Sequence, residues 1–246
     1  MVLTALRGAL GFLSRLPVGQ DEGAWEAFRR TPAAFPLAGY VIGALLAVPF
    51  VLPVPASVGA VLFLGVTYGV TGVNHVDGLA DLGDAAAVHG AEKRRSVMKD
   101  TTVGVGAVLA VGLGVAGLAL AGLGLARLPL VAALSAVVAA EVGAKLGMAA
   151  LAAFGSPAHD GLGAALLDQT VGGFAVALLV AVPAVALARP AVVGAGSVSA
   201  GLVTALGVGW WARSWLDGVS GDVFGAANEL ARVVALHAGV VAWTLS

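Results

Sequence analysis

The chain has 246 residues, of which 59% are hydrophobic and 11% charged, and its mean hydropathy is +0.99. Soluble domains carry about 25% charged residues, so this chain has too little polar side chain to wrap a soluble particle, and an integral membrane protein is expected. The formal net charge of −1 gives no reason to expect a nucleic-acid binder, and the absence of cysteine excludes disulfides and thiolate metal sites.

Near the N-terminus Arg7 and Arg15 flank short apolar runs. This differs from the basic, apolar and small-residue regions of a signal peptide, so an interfacial helix is expected there. Apolar runs then predict seven membrane spans, at residues 32–52, 57–73, 102–126, 128–152, 170–188, 191–212 and 225–245. Pro36 and Pro49 predict tilt or kinking in the first, and the second is short. Neither a linker nor an internal repeat interrupts this pattern, so residues 1–246 read as a single all-α integral membrane domain. Small-residue spacings such as Gly104 to Val108 and Gly117 to Ala121 allow close helix–helix approach in lipid. In a chain with 36 glycines none of them stands out as a dimer motif, and a homo-oligomer is left open.

The connections carry more information than the spans. Those at 53–56, 127 and 189–190 are very short and hold no acid, whereas 1–31, 74–101, 155–169 and 214–224 are long and polar. With seven alternating spans the four long segments fall on one face. That face carries Arg7, Arg15, Arg29, Arg30, Lys93, Arg94, Arg95, Lys99 and, at its edge, Arg213, against only Arg127 and Arg189 opposite. The positive-inside rule assigns it to the cytoplasm, with anionic lipid headgroups beside Lys93-Arg94-Arg95. Asp77, Asp81, Asp84, Asp100, Asp160, Asp168, Asp217 and Asp222 lie on the same face. A transporter is expected to hold its polar groups near mid-membrane, so this one-sided distribution favours an enzyme.

Asp77, Asp81 and Asp84 stand at i, i+4 and i+7, on one face of a helix. Three carboxylates so placed repel each other unless a cation joins them, and Mg²⁺ takes such oxygen ligands together with water and phosphate oxygens. They are therefore the expected metal ligands, and Gly78 is expected to let a phosphate approach the backbone. His75 is a candidate to orient a ligand, act as a base or contact phosphate. Lys99 and Asp100 precede a long span, where helix N-terminal amides favour anions, and suit phosphate contact and metal or base work. Asp160 in His159-Asp160-Gly161-Leu162-Gly163, and Asp222, Asn228 and Glu229 at the start of the last span, are expected to contact substrate. Glu141 and Lys145, four residues apart inside the fourth span, read equally as a self-satisfied pair and as a functional one.

These residues resemble the adenosylcobinamide-GDP ribazoletransferases, or cobalamin synthases. The resemblance runs through Phe12-Leu13-Ser14-Arg15-Leu16-Pro17-Val18, Phe35-Pro36-Leu37-Ala38-Gly39 and His75-Val76-Asp77-Gly78-Leu79-Ala80-Asp81 with Asp84. It continues in Met98-Lys99-Asp100, Asp160-Gly161-Leu162-Gly163 and Gly221-Asp222-Val223-Phe224-Gly225-Ala226-Ala227-Asn228-Glu229-Leu230. It implies Mg²⁺-dependent attack by a ribose hydroxyl of α-ribazole, or its 5′-phosphate, on the phosphorus attached to cobinamide in adenosylcobinamide-GDP. GMP leaves, and adenosylcobalamin or its 5′-phosphate is the product. In that reaction Asp77, Asp81 and Asp84 hold Mg²⁺ against the diphosphate, Lys99 stabilises phosphate charge, and His75 or Asp100 takes the hydroxyl proton. The chain departs from many members at Thr102, where a basic residue is usual, and at Glu141, where an arginine is common.

Two other readings compete. A CDP-alcohol phosphotransferase-like enzyme also uses aspartates and a divalent metal, but its Asp-Gly-x-x-Ala-Arg signature fails here, because Asp81 follows Ala80. A cation-coupled transporter predicts mid-span acids, whereas these gather at one face.

Overall fold

The computed structural model describes residues 2–19, 21–98, 100, 102–167 and 169–246. Among them every regular element is helical, and the β-type pairing consists of one isolated bridge between Pro157 and Val219. The helices are α1 (Val2–Leu13), α2 (Glu22–Arg29), α3 (Ala34–Ala47), α4 (Ala56–Thr71), α5 (Asn74–Ala87) and α6 (Ala91–Val97). They continue as α7 (Val105–Leu125), α8 (Leu130–Phe154), α9 (Leu162–Leu166), α10 (Val171–Ala186), α11 (Ala191–Trp215) and α12 (Gly221–Thr244). Sequence punctuation sets many of the boundaries. Pro55, Pro129 and Pro190 sit just before α4, α8 and α11, where a missing N–H costs nothing. Asp21, Thr170 and Ser220 cap α2, α10 and α12 through their side chains.

Four segments are long and apolar enough to cross a membrane: α3 with its 3₁₀ extension (Ala34–Val51), α7, α8 and α11. A fifth is obtained if α4 and α5, bent by 98° at Gly72 and Val73, count as one broken span. The count by length and composition is thus four or five, against the seven predicted. The difference has a physical source. Helix α10 has 16 residues, about 24 Å at 1.5 Å per residue, short of a ~30 Å hydrocarbon core. Helix α12 is long enough at 24 residues, but Asn228, Glu229 and Arg232 make it too polar to register as a span.

Helix α8 is the axis of the fold. Its most apolar window is 72% buried, against 22% for α7, and it packs against α3, α10, α11 and α12. A helix apolar on all sides belongs in an interior, and the small residues predicted to permit close approach do so here. A Cβ on Gly39 would lie 2.8 Å from the Val142 Cα, and one on Gly143 2.7 Å from the Val198 Cα. At the N-terminal end Phe12, Trp25, Phe28 and Phe35 form a continuous aromatic cluster that fixes α1 and α2 against α3.

The α8 core also encloses charge. Glu141 on α8 is ion-paired to Lys145 one turn further on and to Arg232 of α12, and Arg232 donates through Nη1 to Glu229 Oε1 at 2.5 Å. All four side chains are buried. The two carboxylates and two cations balance, which is the condition for burying them. The pair considered from sequence is therefore half of a quartet that joins two helices. Removing one partner of a buried pair costs about 3–5 kcal/mol. Arg232→Met and Glu141→Gln are accordingly expected each to lower unfolding stability in detergent by that amount. Unfolding the two single variants and the double variant checks this, with the double falling well short of the sum.

Candidate active site

Helix α5 begins where α4 ends at Gly72, whose φ of +71° lets the chain turn sharply. The turn sets α5 at 98° to α4. One side of α5 is buried through His75, Gly78, Leu79, Leu82 and Ala85. The predicted i, i+4, i+7 acids are on α5 as expected, with Asp77 exposed and Asp81 and Asp84 half-buried.

Helix α5 is seated by glycines. A Cβ on Gly78 would come within 2.5 Å of the Asp222 carbonyl oxygen, and one on Gly225 within 3.0 Å of the His75 Cα. Gly83 and Gly106 make the equivalent approach between α5 and α7. The expectation that Gly78 clears space for a phosphate is corrected by this packing. The space beside Gly78 is filled by the α12 backbone, and its function is to bring Asp222 to the α5 acids.

Asp81 lies within electrostatic reach of Asp222, Asp77 and Asp84; burial first, then these carboxylates in that order, push its carboxyl up to about 6. No cation among the described residues is ion-paired to Asp77, Asp81 or Asp222. Asp84 is engaged differently. Its Oδ2 accepts the Gly104 N–H and its Oδ1 the Ala107 N–H, both at 2.8 Å, so it caps the start of α7 from another helix. Among the described residues no three carboxylate or imidazole groups converge into a ready metal cage. The donor set still suits Mg²⁺, which commonly takes only one or two carboxylates and completes its shell with water and phosphate oxygens. Asp77 and Asp81, with Asp222 opposite, are the groups that could hold it.

Behind the acids, the Asn228 Nδ2 lies 3.1 Å from His75 Nδ1 and donates to Glu229 Oε1 at 3.2 Å. Glu229 can only accept, so Asn228 turns its NH₂ toward both partners. The His75 Nδ1 then accepts, and the ring proton sits on Nε2. Burial pushes the His75 pKa down to about 4, which keeps the ring neutral. Asn228 and Glu229, expected to touch substrate, are buried instead and hold His75 through a chain that runs on to Arg232 and Glu141. Arg232 escaped the sequence reading, although its place three residues after Glu229 in an apolar helix was a legible signal.

Two loops border the acids. Val219 donates to Ser156 and accepts from Ala158, tying the loop before Asp160 to the start of α12, and Gly163 packs on Gly221. This places the exposed Asp160 segment beside that of Asp222. Helix α6 reaches the same rim, with Arg95 ion-paired to Asp217 and Arg94 stacked 3.8 Å from the Trp215 ring centroid. Two members of the basic cluster thus dock on protein. Asp100 Oδ1 accepts the Thr102 N–H at 3.1 Å at the foot of α7. Lys99, the predicted phosphate contact, lies outside the described residues, as does Asp168.

The family description Cobalamin-5-phosphate synthase matches residues 5–240. The chain is 51% identical to a protein named adenosylcobinamide-GDP ribazoletransferase from Halorubrum lacusprofundi, over 99% of each chain. A protein of the same name from Haloquadratum walsbyi is 47% identical over 100% of both, and one from Deinococcus radiodurans 36% identical over 97% of this chain and 86% of its own. No solved structure matches. A match spanning almost the whole chain, with the paired α5 acids and the α12 Asp222–Glu229 block inside it, makes this chain a member of the cobalamin-5-phosphate synthase family.

Proposed function

We propose that this protein transfers the adenosylcobinamide phosphate group of adenosylcobinamide-GDP to α-ribazole or its 5′-phosphate, releasing GMP. The observation that carries the reading is the meeting of Asp77 and Asp81 on α5 with Asp222 on α12, in a chain whose relatives bear that activity in their names. The ribose hydroxyl of the acceptor forms a bond to the phosphorus on the cobinamide side, the phosphoanhydride bond breaks, and GMP leaves with its electron pair.

Displacement at a diphosphate depends on neutralising charge and on holding nucleophile and leaving group in line. Mg²⁺, when bound, supplies the charge neutralisation on the diphosphate oxygens. Asp77 and Asp81, opposed by Asp222, are the residues that hold it, and the elevated Asp81 carboxyl fits a cluster short of positive charge. Asp84, bound by two amides, fixes α5 to α7 and has less to offer a metal. His75 carries its proton on Nε2, so it acts as a donor to a phosphate oxygen. Asp100 is the remaining group for the hydroxyl proton, with Lys99 for phosphate charge.

The protein acts as one catalytic domain in the cell membrane, with the acids facing the cytoplasm and lipid around the spans. The concentration of Arg and Lys in the segments 1–31 and 74–101 supports that orientation for the part of the chain that carries the acids.

Asp77→Asn and Asp81→Asn are expected to reduce GMP release from adenosylcobinamide-GDP by about 10²–10³-fold while the protein stays folded, since each removes charge stabilisation at the reacting phosphorus. Asp84→Ala is expected to lower stability by about 0.5–2 kcal/mol, the cost of a lost cap, with a smaller loss of rate. Initial rates and detergent unfolding of the three variants separate the two roles, and an active Asp77→Asn enzyme would remove Asp77 from the metal site. EDTA should stop turnover of the wild type, and added Mg²⁺ should restore it. A single cysteine at Ser96 should react with a membrane-impermeant maleimide only from the cytoplasmic side; reaction from outside would reverse the orientation.

A further inference from the structure

In a chain this apolar, a polar cavity needs a reason. One of about 510 Å³ opens between the end of α1 and the α4–α5 junction. Its wall includes Ser14 and Arg15 from the α1–α2 connection, Thr71 and Gly72 from the end of α4, and Asn74 and His75 from the start of α5.

The arginine is built into this wall. Its backbone N–H donates to the Val70 carbonyl at 2.7 Å, which pins the connection onto α4. Its side chain lies across Gly72, where a Cβ would come within 2.9 Å of the Arg15 Cδ. Gly72 is needed for its positive φ and again for this clearance. The Arg15 guanidinium has no ion-pair partner among the described residues. The neighbouring hydroxyls are spent, Ser14 donating to the Leu10 carbonyl and Thr71 to that of Thr67. Val73 gives the first turn of α5 no side-chain cap, and Asn74 and His75 of that turn share the cavity wall with Arg15. A cation next to uncapped helix N-terminal amides is an anion site.

We propose that this cavity binds the acceptor nucleoside of the reaction, with Arg15 and the first-turn amides of α5 anchoring an anionic group such as a 5′-phosphate. The assignment rests on the proposed transferase reaction. Size favours the acceptor over the donor, because 510 Å³ suits a nucleoside monophosphate and a corrinoid is far larger. Orientation agrees. Asp77 follows Asn74 by three residues on the same side of α5, so a nucleoside anchored by its phosphate at Arg15 extends its ribose hydroxyls toward the acids.

Two measurements test this. With Mg²⁺ and adenosylcobinamide-GDP, Arg15→Gln should raise the KM for α-ribazole 5′-phosphate by about 10–100-fold, the usual worth of one charge-assisted hydrogen bond. The KM values for unphosphorylated α-ribazole and for adenosylcobinamide-GDP should stay within about threefold of wild type, and Arg15→Lys should recover part of the loss. An equal rise for both acceptors, a rise confined to the donor, or no change overturns the proposal. The second measurement needs no turnover, so it stands even if the reaction itself is misassigned. The chain has no cysteine, so Val18→Cys, on the cavity wall, provides a single thiol. Its maleimide labelling should be slowed by α-ribazole 5′-phosphate and unaffected by GDP or inorganic phosphate. Protection by GDP would give the cavity to the donor diphosphate, protection by phosphate alone would leave only an anion site, and no protection would leave no site; each overturns the assignment.

Discussion

A charge taken out of water must be met by another, and this constraint organises the centre of the molecule. Glu141 in α8 is surrounded by aliphatic side chains and is met by Lys145 on its own helix and Arg232 on α12. Arg232 in turn meets Glu229, and Glu229 orients Asn228 against His75. One unbroken series of polar contacts therefore runs from mid-bundle to the first turn of the helix that carries the acids. Such networks are of high consequence, because each member left unpartnered in a low-dielectric interior is costly. In this protein that cost fixes α12 in both height and rotation against α8, and with it the place of Asp222.

Close packing completes what charge begins. Gly78 and Gly225 let α5 and α12 meet backbone to backbone, and Gly83 and Gly106 do the same for α5 and α7. In lipid there is little hydrophobic gain from bringing helices together, so small residues at crossings matter more than large apolar ones. The high glycine content is, in this light, a feature of the site as much as of the bundle. Three helices distant in sequence converge on one carboxylate cluster because nothing bulky separates their backbones.

Much of this was legible in the residues themselves. The all-α membrane class followed from composition, and the acid spacing gave the right face of α5, because helical periodicity is local. The span count was less legible. An apolar run does not show where its helix begins and ends, so the run 170–188 hides a helix of only 16 residues, and it does not show that α12 trades apolar residues for a buried ion network. The site shows the same division. The placement of Asp77 and Asp81 on one helix was readable, whereas the capping of α7 by Asp84 and the occupation of the Gly78 face by α12 depend on contacts between residues 20 to 144 positions apart. Asn228 and Glu229 looked like substrate ligands because they were polar in an apolar helix; the partner that explains them, Arg232, lies one turn further along.

The cap that Asp84 places on α7 has one more effect. It closes a loop, since residues 84 and 104 are joined at the base while α6, which buries none of its residues, lies between them. The entropy of closing a loop grows only slowly with its length, so the length of the connection around α6 bears little on the two helices it joins, while Lys99 and Asp100 at its end stay tied to the proposed reaction. Evolution could therefore retune the rim that Arg94 and Arg95 form against Trp215 and Asp217 while the carboxylates beneath stay in register. The base of that rim is itself an aspartate of the acid cluster, so rim and site are joined through one side chain.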